Sequence, residues 1–464
     1  MFSPNRYNGI DLLNLPTIGR FIKNKKFLIA IRLFSLILLI SLIAYGFSLP
    51  DRNENLVTNG LAWGLFWPFF IITSLVMIGP VFCMVCPLGF IGEYLTWFGL
   101  KRKPGPWKNY YIGILTLIFS YWVVYYTLDG FYEEPVHAAW FFLVFLLLSG
   151  LFFLVYSEMT FCKYICPVSA IIRAFGRVGP TWLTTDKSNC NECKTFDCAK
   201  ACSYKLQPYH FDKNGSMSDC TLCMGCAQAC DSVQWKLTVP SVTLWKKIPK
   251  PRSIDVWVYI LMLGVITITM RFHHGLGRSK ISDQFIWSKT AVSVQNMFGI
   301  EHDLTGFFAL IYALILLLSV TLGGFYLAAR ILRTDYKNVF HTLGYALAPL
   351  MIVGGLSHLG ESFFLHYYNE ITNAFIQLFH LPFEEARPLA SRKDSWLHLF
   401  RLFTYVAIIW SFVLMIVRLR FIESSNVQKI LAFPFAWGAG WVMLFLTLYV
   451  PYILSTYGIA GGHH

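Results

Sequence analysis

About nine stretches of this chain run for close to twenty residues with scarcely a charge, at 27–48, 61–82, 111–128, 138–156, 254–270, 305–329, 339–359, 397–417 and 430–452. As helices rising 1.5 Å per residue, such runs cross a hydrocarbon core of about 30 Å. A segment inside lipid must satisfy its own backbone hydrogen bonds, so helix is the conformation these runs favour. Composition agrees, because 56% of the 464 residues are hydrophobic and only 14% are charged. The expected fold class is an all-α polytopic membrane protein of about nine transmembrane helices, with a small α+β two-cluster ferredoxin-like insert.

The net charge of +13 would suggest a nucleic-acid partner for a soluble chain. Here most of the cations lie in short loops beside apolar runs, where they set orientation, and no nucleic acid is expected. Lys101-Arg102-Lys103, Lys246-Lys247, Arg330/Arg333/Lys337 and Arg418/Arg420 are basic, whereas Asp51/Glu54 and Asp129/Glu133/Glu134 are acidic and fall on alternate sides. The positive-inside rule then places the amino terminus and the cysteine-rich segment in the cytoplasm and the carboxyl terminus outside. The first apolar run is long and lacks a small-residue cleavage site, so it reads as a retained span. Four regions follow: a cytoplasmic segment at 1–26, repeated transmembrane hairpins at 27–179, a ferredoxin domain at 180–245, and a carboxyl-terminal transmembrane domain of about five helices at 246–464.

Eight of the 12 cysteines fall between Cys190 and Cys230. The first run is Cys190, Cys193, Cys198 and Cys202; the second is Cys220, Cys223, Cys226 and Cys230, spaced C-x2-C-x2-C-x3-C. Two-cluster ferredoxins take three thiolates for each [4Fe–4S] cluster from one run and the fourth from the other. Cys190, Cys193, Cys198 and Cys230 are therefore assigned to one cluster, and Cys220, Cys223, Cys226 and Cys202 to the second. Zinc would need only two C-x2-C pairs per site and leaves the later cysteines of the second run unexplained. Clustering in metal-ligand spacings also argues against a disulfide framework. A domain this small buries little core, so cluster binding must supply much of its folding free energy.

An internal repeat precedes the insert. One hairpin ends Phe82-Cys83-Met84-Val85-Cys86-Pro87 and the next ends Phe161-Cys162-Lys163-Tyr164-Ile165-Cys166-Pro167, each continuing into a short amphipathic segment. Proline after the second cysteine suits a helix start, where its missing donor is not needed. Thiolates at such a start gain from the helix dipole. Cys83, Cys86, Cys162 and Cys166 are candidates for a third metal centre or a redox dithiol pair, against the alternative that they pack as small apolar groups.

The paired Cys-Pro motifs followed by a two-cluster insert resemble the membrane polyferredoxins of the NapH/NosR type, which accompany periplasmic nitrate and nitrous-oxide reductases. The likeness rests on Cys83, Cys86, Pro87, Cys162, Cys166, Pro167 and the eight insert cysteines, over residues 27 to about 240. It implies electron transfer between the quinone pool, the clusters and a partner oxidoreductase or other subunits of a respiratory complex. The chain departs from that pattern in having two residues between Cys83 and Cys86, and in five further spans. A rival reading is a copper transporter or cofactor-assembly factor using the four motif cysteines, since soft thiolates suit Cu(I).

The carboxyl-terminal half has no cysteine, but His273, His274, His302, His358 and His398 collect on the predicted outer side. His358 and His398 fall at similar depth on consecutive antiparallel spans, the arrangement of two axial ligands of a b-type haem, with interfacial polar contacts as the alternative. His341 lies near the inner end of its span. Glu361, His366, Glu370, Glu384 and Glu385 are expected in an outer loop, as a solvated face or a route for quinol protons.

Overall fold

A computed structural model describes residues 9–459 apart from 129, 177, 191–192, 215–216 and 239–242. The chain is predominantly helical, and among the described residues eight helices are long and apolar enough to cross a membrane: Lys25–Ser48, Leu56–Thr73, Pro135–Val155, Ser253–Arg278, Thr305–Leu332, Tyr336–Leu378, Ser395–Leu419 and Gly438–Tyr457. Tyr111–Thr127, expected as a ninth span, is a shorter apolar helix. The run at 430–452 divides into Asn426–Ala436 and Gly438–Tyr457, with Trp437 between them and Pro434 removing a backbone donor just before the break. Tyr336–Leu378 runs well past the expected end at 359, which carries Glu361, His366 and Glu370 on helix rather than in a loop.

The chain divides into two compact units. The first comprises residues through Thr116, Tyr132–Thr243 and Ser362–Ser391. In it Asn24 caps Lys25–Ser48, its side chain accepting from the Lys26 and Phe27 amides at 3.0 and 3.2 Å. Gly46 allows this span to cross Pro135–Val155, since a Cβ there would come 2.8 Å from the Pro135 carbonyl oxygen and 2.9 Å from Ala139 Cβ. Each repeat descends from its hairpin through a short helical turn, Val81–Val85 or Phe161–Ile165, into a proline-led helix, Pro87–Phe98 or Pro167–Phe175.

Three short strands bracket the cysteine run: β1 (Ile10–Asp11), β2 (Thr181–Thr185) and β3 (Val233–Leu237). They form an antiparallel sheet in the order β1-β3-β2, with Leu183 opposite Trp235. Asp11 fixes the amino-terminal strand by accepting from the Leu13 amide at 3.0 Å and the Trp235 amide at 3.1 Å. The amino-terminal segment thus supplies an edge strand of the insert's sheet. Leu13, Ile22 and Leu28 share one buried core with Met84, Trp182, Phe211 and Trp235.

The second unit comprises Leu117–Phe131, Leu244–Glu361 and Arg392 onward. The guanidinium of Arg418, 1% exposed, donates to the carbonyls of Leu244 at 2.7 Å and Thr342. The Tyr345 hydroxyl donates to Asp255 at 2.9 Å, and Arg252 pairs with the same carboxylate at 3.3 Å. Buried charge of this kind persists in an apolar domain when its hydrogen bonds are met.

Candidate metal centres

The Cys220 run is built on unusual backbone. Leu222, between Cys220 and Cys223, has φ 51°, and Met224, between Cys223 and Cys226, has φ 62°. Non-glycine residues adopt this left-handed conformation at a cost of about 1–3 kcal/mol and keep it where the surroundings demand it, often at ligand clamps. Left-handed residues set among right-handed ones turn successive amides to one side and make concavities that suit anions and iron–sulfur centres. Burial pushes the Cys220 thiol well above its ordinary range and Cys223 up to about 12, while the amides of Leu222 and Gly225 respectively pull the other way. Cys202 joins from the first run, its sulfur accepting the Leu206 amide at 3.4 Å. Cys202, Cys220, Cys223 and Cys226 all line one small pocket, walled by apolar side chains such as Leu183 and Phe211. The donor set and its inward amides fit a cluster held by four thiolates.

The other insert quartet gathers around Cys198. Burial pushes this thiol up to about 11, and Cys230, Cys190 and Cys193 push it the same way. The four residues between Cys193 and Cys198 are accommodated by Phe196, which is left-handed at φ 51°. The Phe196 amide and the Thr195 hydroxyl and amide hold Cys193 below the usual thiol range.

In the repeats, Cys86 and Cys166 occupy the N-cap positions of Pro87–Phe98 and Pro167–Phe175, with proline at the first helical position of each. The corresponding first-turn amides bear on each sulfur, Leu88 and Gly89 on Cys86, Val168 and Ser169 on Cys166, and lower thiol pKa values that burial raises, to about 12 for Cys166. Burial likewise raises Cys83, followed by Cys86, Cys166, Cys162 and Cys220. Cys162 feels Cys166 and Cys86, with the Tyr204 hydroxyl opposing. The four motif cysteines therefore lie within electrostatic reach of one another. Gly113 makes room for them, since a Cβ there would stand 3.2 Å from the Cys166 carbonyl oxygen and 2.5 Å from Ser169 Oγ.

Two electrostatic contacts link these groups of thiols. Cys226 feels Cys198 of the outer insert quartet, and Cys83 of the repeats feels Cys220 of the inner one. Among the described residues no three His, Cys, Asp or Glu side chains gather tightly enough for a single metal ion. The thiolates of a cubane each bind a different iron and stand farther apart than the ligands of one tetrahedral ion.

Several residues of this region are invisible to spacing rules. Arg32, 8% exposed within the first span, donates through Nε to the Met84 carbonyl at 2.8 Å, through Nη1 to Glu93 at 3.1 Å and through Nη2 to the Cys223 carbonyl at 2.9 Å. Burial raises the Glu93 carboxyl, and Arg32 lowers it. Arg173, 1% exposed, pairs with Asp219 at 2.9 Å and donates to the Lys163 carbonyl. A charge alone in an apolar run was the available signal for Arg32.

In the second unit, His274 lies 3.3 Å from the Tyr125 hydroxyl and 3.4 Å from the Arg278 guanidinium. His273 and His358 are among its further electrostatic neighbours. His358, on helix Gly354–Ser362, is exposed; so is His398, in the turn Ser395–Phe400, where Arg401 acts on it. Glu361 lies within electrostatic reach of Arg401, Arg271 and Arg278. His341 is hydrogen-bonded to Ser253 at 2.7 Å.

Two segments of the chain, residues 59–105 and 137–184, match the family described as a 4Fe-4S binding domain. They contain Cys83/Cys86 and Cys162/Cys166 respectively, so one family description falls on both copies of the repeat. The chain is similar to two uncharacterized proteins of Methanocaldococcus jannaschii. It is 25% identical to MJ0750 over 198 residues, 38% of this chain and 80% of that protein. It is 27% identical to MJ0749 over 175 residues, 34% of this chain and 67% of that protein. No solved structure matches. The two domain matches and the eight apolar helices together describe an iron–sulfur membrane protein.

Proposed function

We propose that this chain is a membrane-bound electron-transfer protein that relays electrons between the quinone pool or a redox partner and a respiratory oxidoreductase, as membrane polyferredoxins of the NapH/NosR type do. One observation supports the reading: all twelve cysteines lie in one unit, where Cys83 is coupled electrostatically to Cys220, and Cys226 to Cys198. Cys190, Cys193, Cys198 and Cys230 hold the outer [4Fe–4S] cluster, Cys202, Cys220, Cys223 and Cys226 the inner one, and Cys83, Cys86, Cys162 and Cys166 a third centre beside the membrane. Each cluster supplies one-electron exchange at a potential set by burial, charge and hydrogen bonds to sulfur. The residues around them hold thiolates in place, exclude water and aim amides at the sulfurs. The match of both repeats to a 4Fe-4S binding domain favours iron over copper for the motif cysteines.

In this proposal the insert is cytoplasmic and the chain lies in a bacterial inner membrane. The histidines and arginines around His274, His358 and Glu361 are candidates for an outer-side haem or quinone site where the relay continues. The test is anaerobic purification with iron, sulfide, copper and haem analysis and EPR, comparing wild type with Cys166→Ser. Loss of one iron–sulfur signal in the variant, with the remaining two retained, is expected. Copper in place of iron, or an unchanged metal content and spectrum in Cys166→Ser, overturns the assignment of the third centre.

A further inference from the structure

Two buried arginines perform the same task from unrelated positions in the chain. Arg32 lies on the first span, before its Cys-Pro motif, and donates to the carbonyl of Met84, the residue after Cys83. Arg173 lies on the helix after the second motif and donates to the carbonyl of Lys163, the residue after Cys162. Duplication of the hairpin does not produce this correspondence, because the two arginines are not equivalent positions of the repeat.

Each arginine also reaches the Cys220–Cys223 run. Arg32 donates to the Cys223 carbonyl at 2.9 Å. Arg173 pairs at 2.9 Å with Asp219, the residue before Cys220. Tyr110 completes that contact, its ring lying 3.9 Å beneath the Arg173 guanidinium and its hydroxyl donating to Asp219 at 3.3 Å. The counter-charge of Arg32 is Glu93, 3.1 Å away on the helix that follows the first motif. This ion pair stands between the two quartets: Arg32 acts on Cys86 and Cys223, and Glu93 on Cys162 and Cys223.

We propose that Arg32 and Arg173 are positioning residues that fasten each membrane cysteine motif to the inner cluster run, and that the Arg32–Glu93 pair sets the reduction potentials of the two centres it separates. The inference rests on the electron-relay reading for its second half only. A planar guanidinium suits the task because its rigid fork satisfies several acceptors at once. Adding an electron makes a centre more negative, so a nearby guanidinium favours reduction and a nearby carboxylate opposes it, most strongly where water is excluded.

The test is an EPR-monitored redox titration of Arg32→Gln, Glu93→Gln and Arg32→Lys, with iron per chain measured in each. Arg32→Gln is expected to lower, and Glu93→Gln to raise, the potentials of the same two centres, with Arg32→Lys close to wild type. Shifts of the same sign in Arg32→Gln and Glu93→Gln, or no shift in iron-replete protein, overturn the electrostatic role. If Arg32→Gln does not fold, Glu93→Gln carries the prediction alone. A second readout needs no cluster: in metal-free full-length protein, alkylation of Cys83 is expected to quicken several-fold in Arg32→Gln and that of Cys162 in Arg173→Gln. Unchanged alkylation overturns the fastening role. Wild-type protein purified without iron overturns the relay reading instead, and the alkylation rates then decide the fastening role separately.

Discussion

The Arg32 guanidinium meets the Cys223 carbonyl at 2.9 Å across 191 positions of sequence. That bond ties the first apolar helix to the cysteine run, and it makes the two proposed cluster environments parts of one buried network.

Removing iron should destabilise the insert, so that it opens more often without unfolding outright, and spare the spans. The insert's core is small, and Cys198, Cys220 and Cys226 are themselves among its buried members. Exposing and uncoupling them removes folding free energy that apolar area alone does not replace. Chelation under anaerobic conditions should open residues 187–230 to protease, with the apolar helices still protected. Peptide mapping reads the result, and an unchanged cleavage pattern after complete iron removal contradicts it.

Thiol reactivity in the metal-free protein should be strongly unequal. The thiolate is the nucleophile, so a lowered pKa gives reaction at lower pH and a raised one delays it. Cys193 is held below the ordinary range, whereas Cys166 is pushed up to about 12. Iodoacetamide at pH 7 should label Cys193 first, and labelling of Cys166 should still be climbing at pH 10. Mass spectrometry of time points checks this. Equal rates at the two positions at pH 7 would show that the environments differ little.

Asp219→Ala should be costly for stability. Arg173 is 1% exposed and its side chain would be left charged without its carboxylate. Removing one partner of a buried pair costs about 3 kcal/mol or more. Denaturant unfolding in detergent micelles should show a loss of that order, and a change under about 0.5 kcal/mol would place the pair outside the load of the fold.

Gly113→Val should disturb the motif quartet selectively. A Cβ at this position meets Ser169 Oγ and the carbonyls of Cys166 and Tyr164. The EPR signal assigned to the membrane centre should broaden or vanish, with both insert signals retained. A spectrum identical to wild type would remove the convergence of the four motif cysteines from the explanation.

Much of this was legible in sequence because it is periodic or local. Apolar runs announced the helices, and Cys-Pro announced the helix starts at Pro87 and Pro167. Cysteine spacing is local in the same way, and the division of the insert cysteines into two proposed quartets rests on it. What spacing does not encode is long-range pairing. Nothing local marks Ile10–Asp11 as a partner of β3, because two residues carry no alternation pattern. Tyr204 looks like any aromatic until its hydroxyl faces Cys162. The helix that runs on to Leu378 has polar residues such as Glu361, Glu370 and Asn373, which read as loop when burial is unknown.

The most direct test of the relay is magnetic. Clusters held by neighbouring quartets would stand close enough for their unpaired spins to interact, so the EPR spectrum of fully reduced wild type should show splitting or broadening beyond the sum of separate cluster signals. Cys220→Ser, which alters the middle quartet, should relieve that interaction in the signals that remain. A fully reduced spectrum that is the plain sum of independent clusters, unchanged in shape by Cys220→Ser, would contradict the succession of centres.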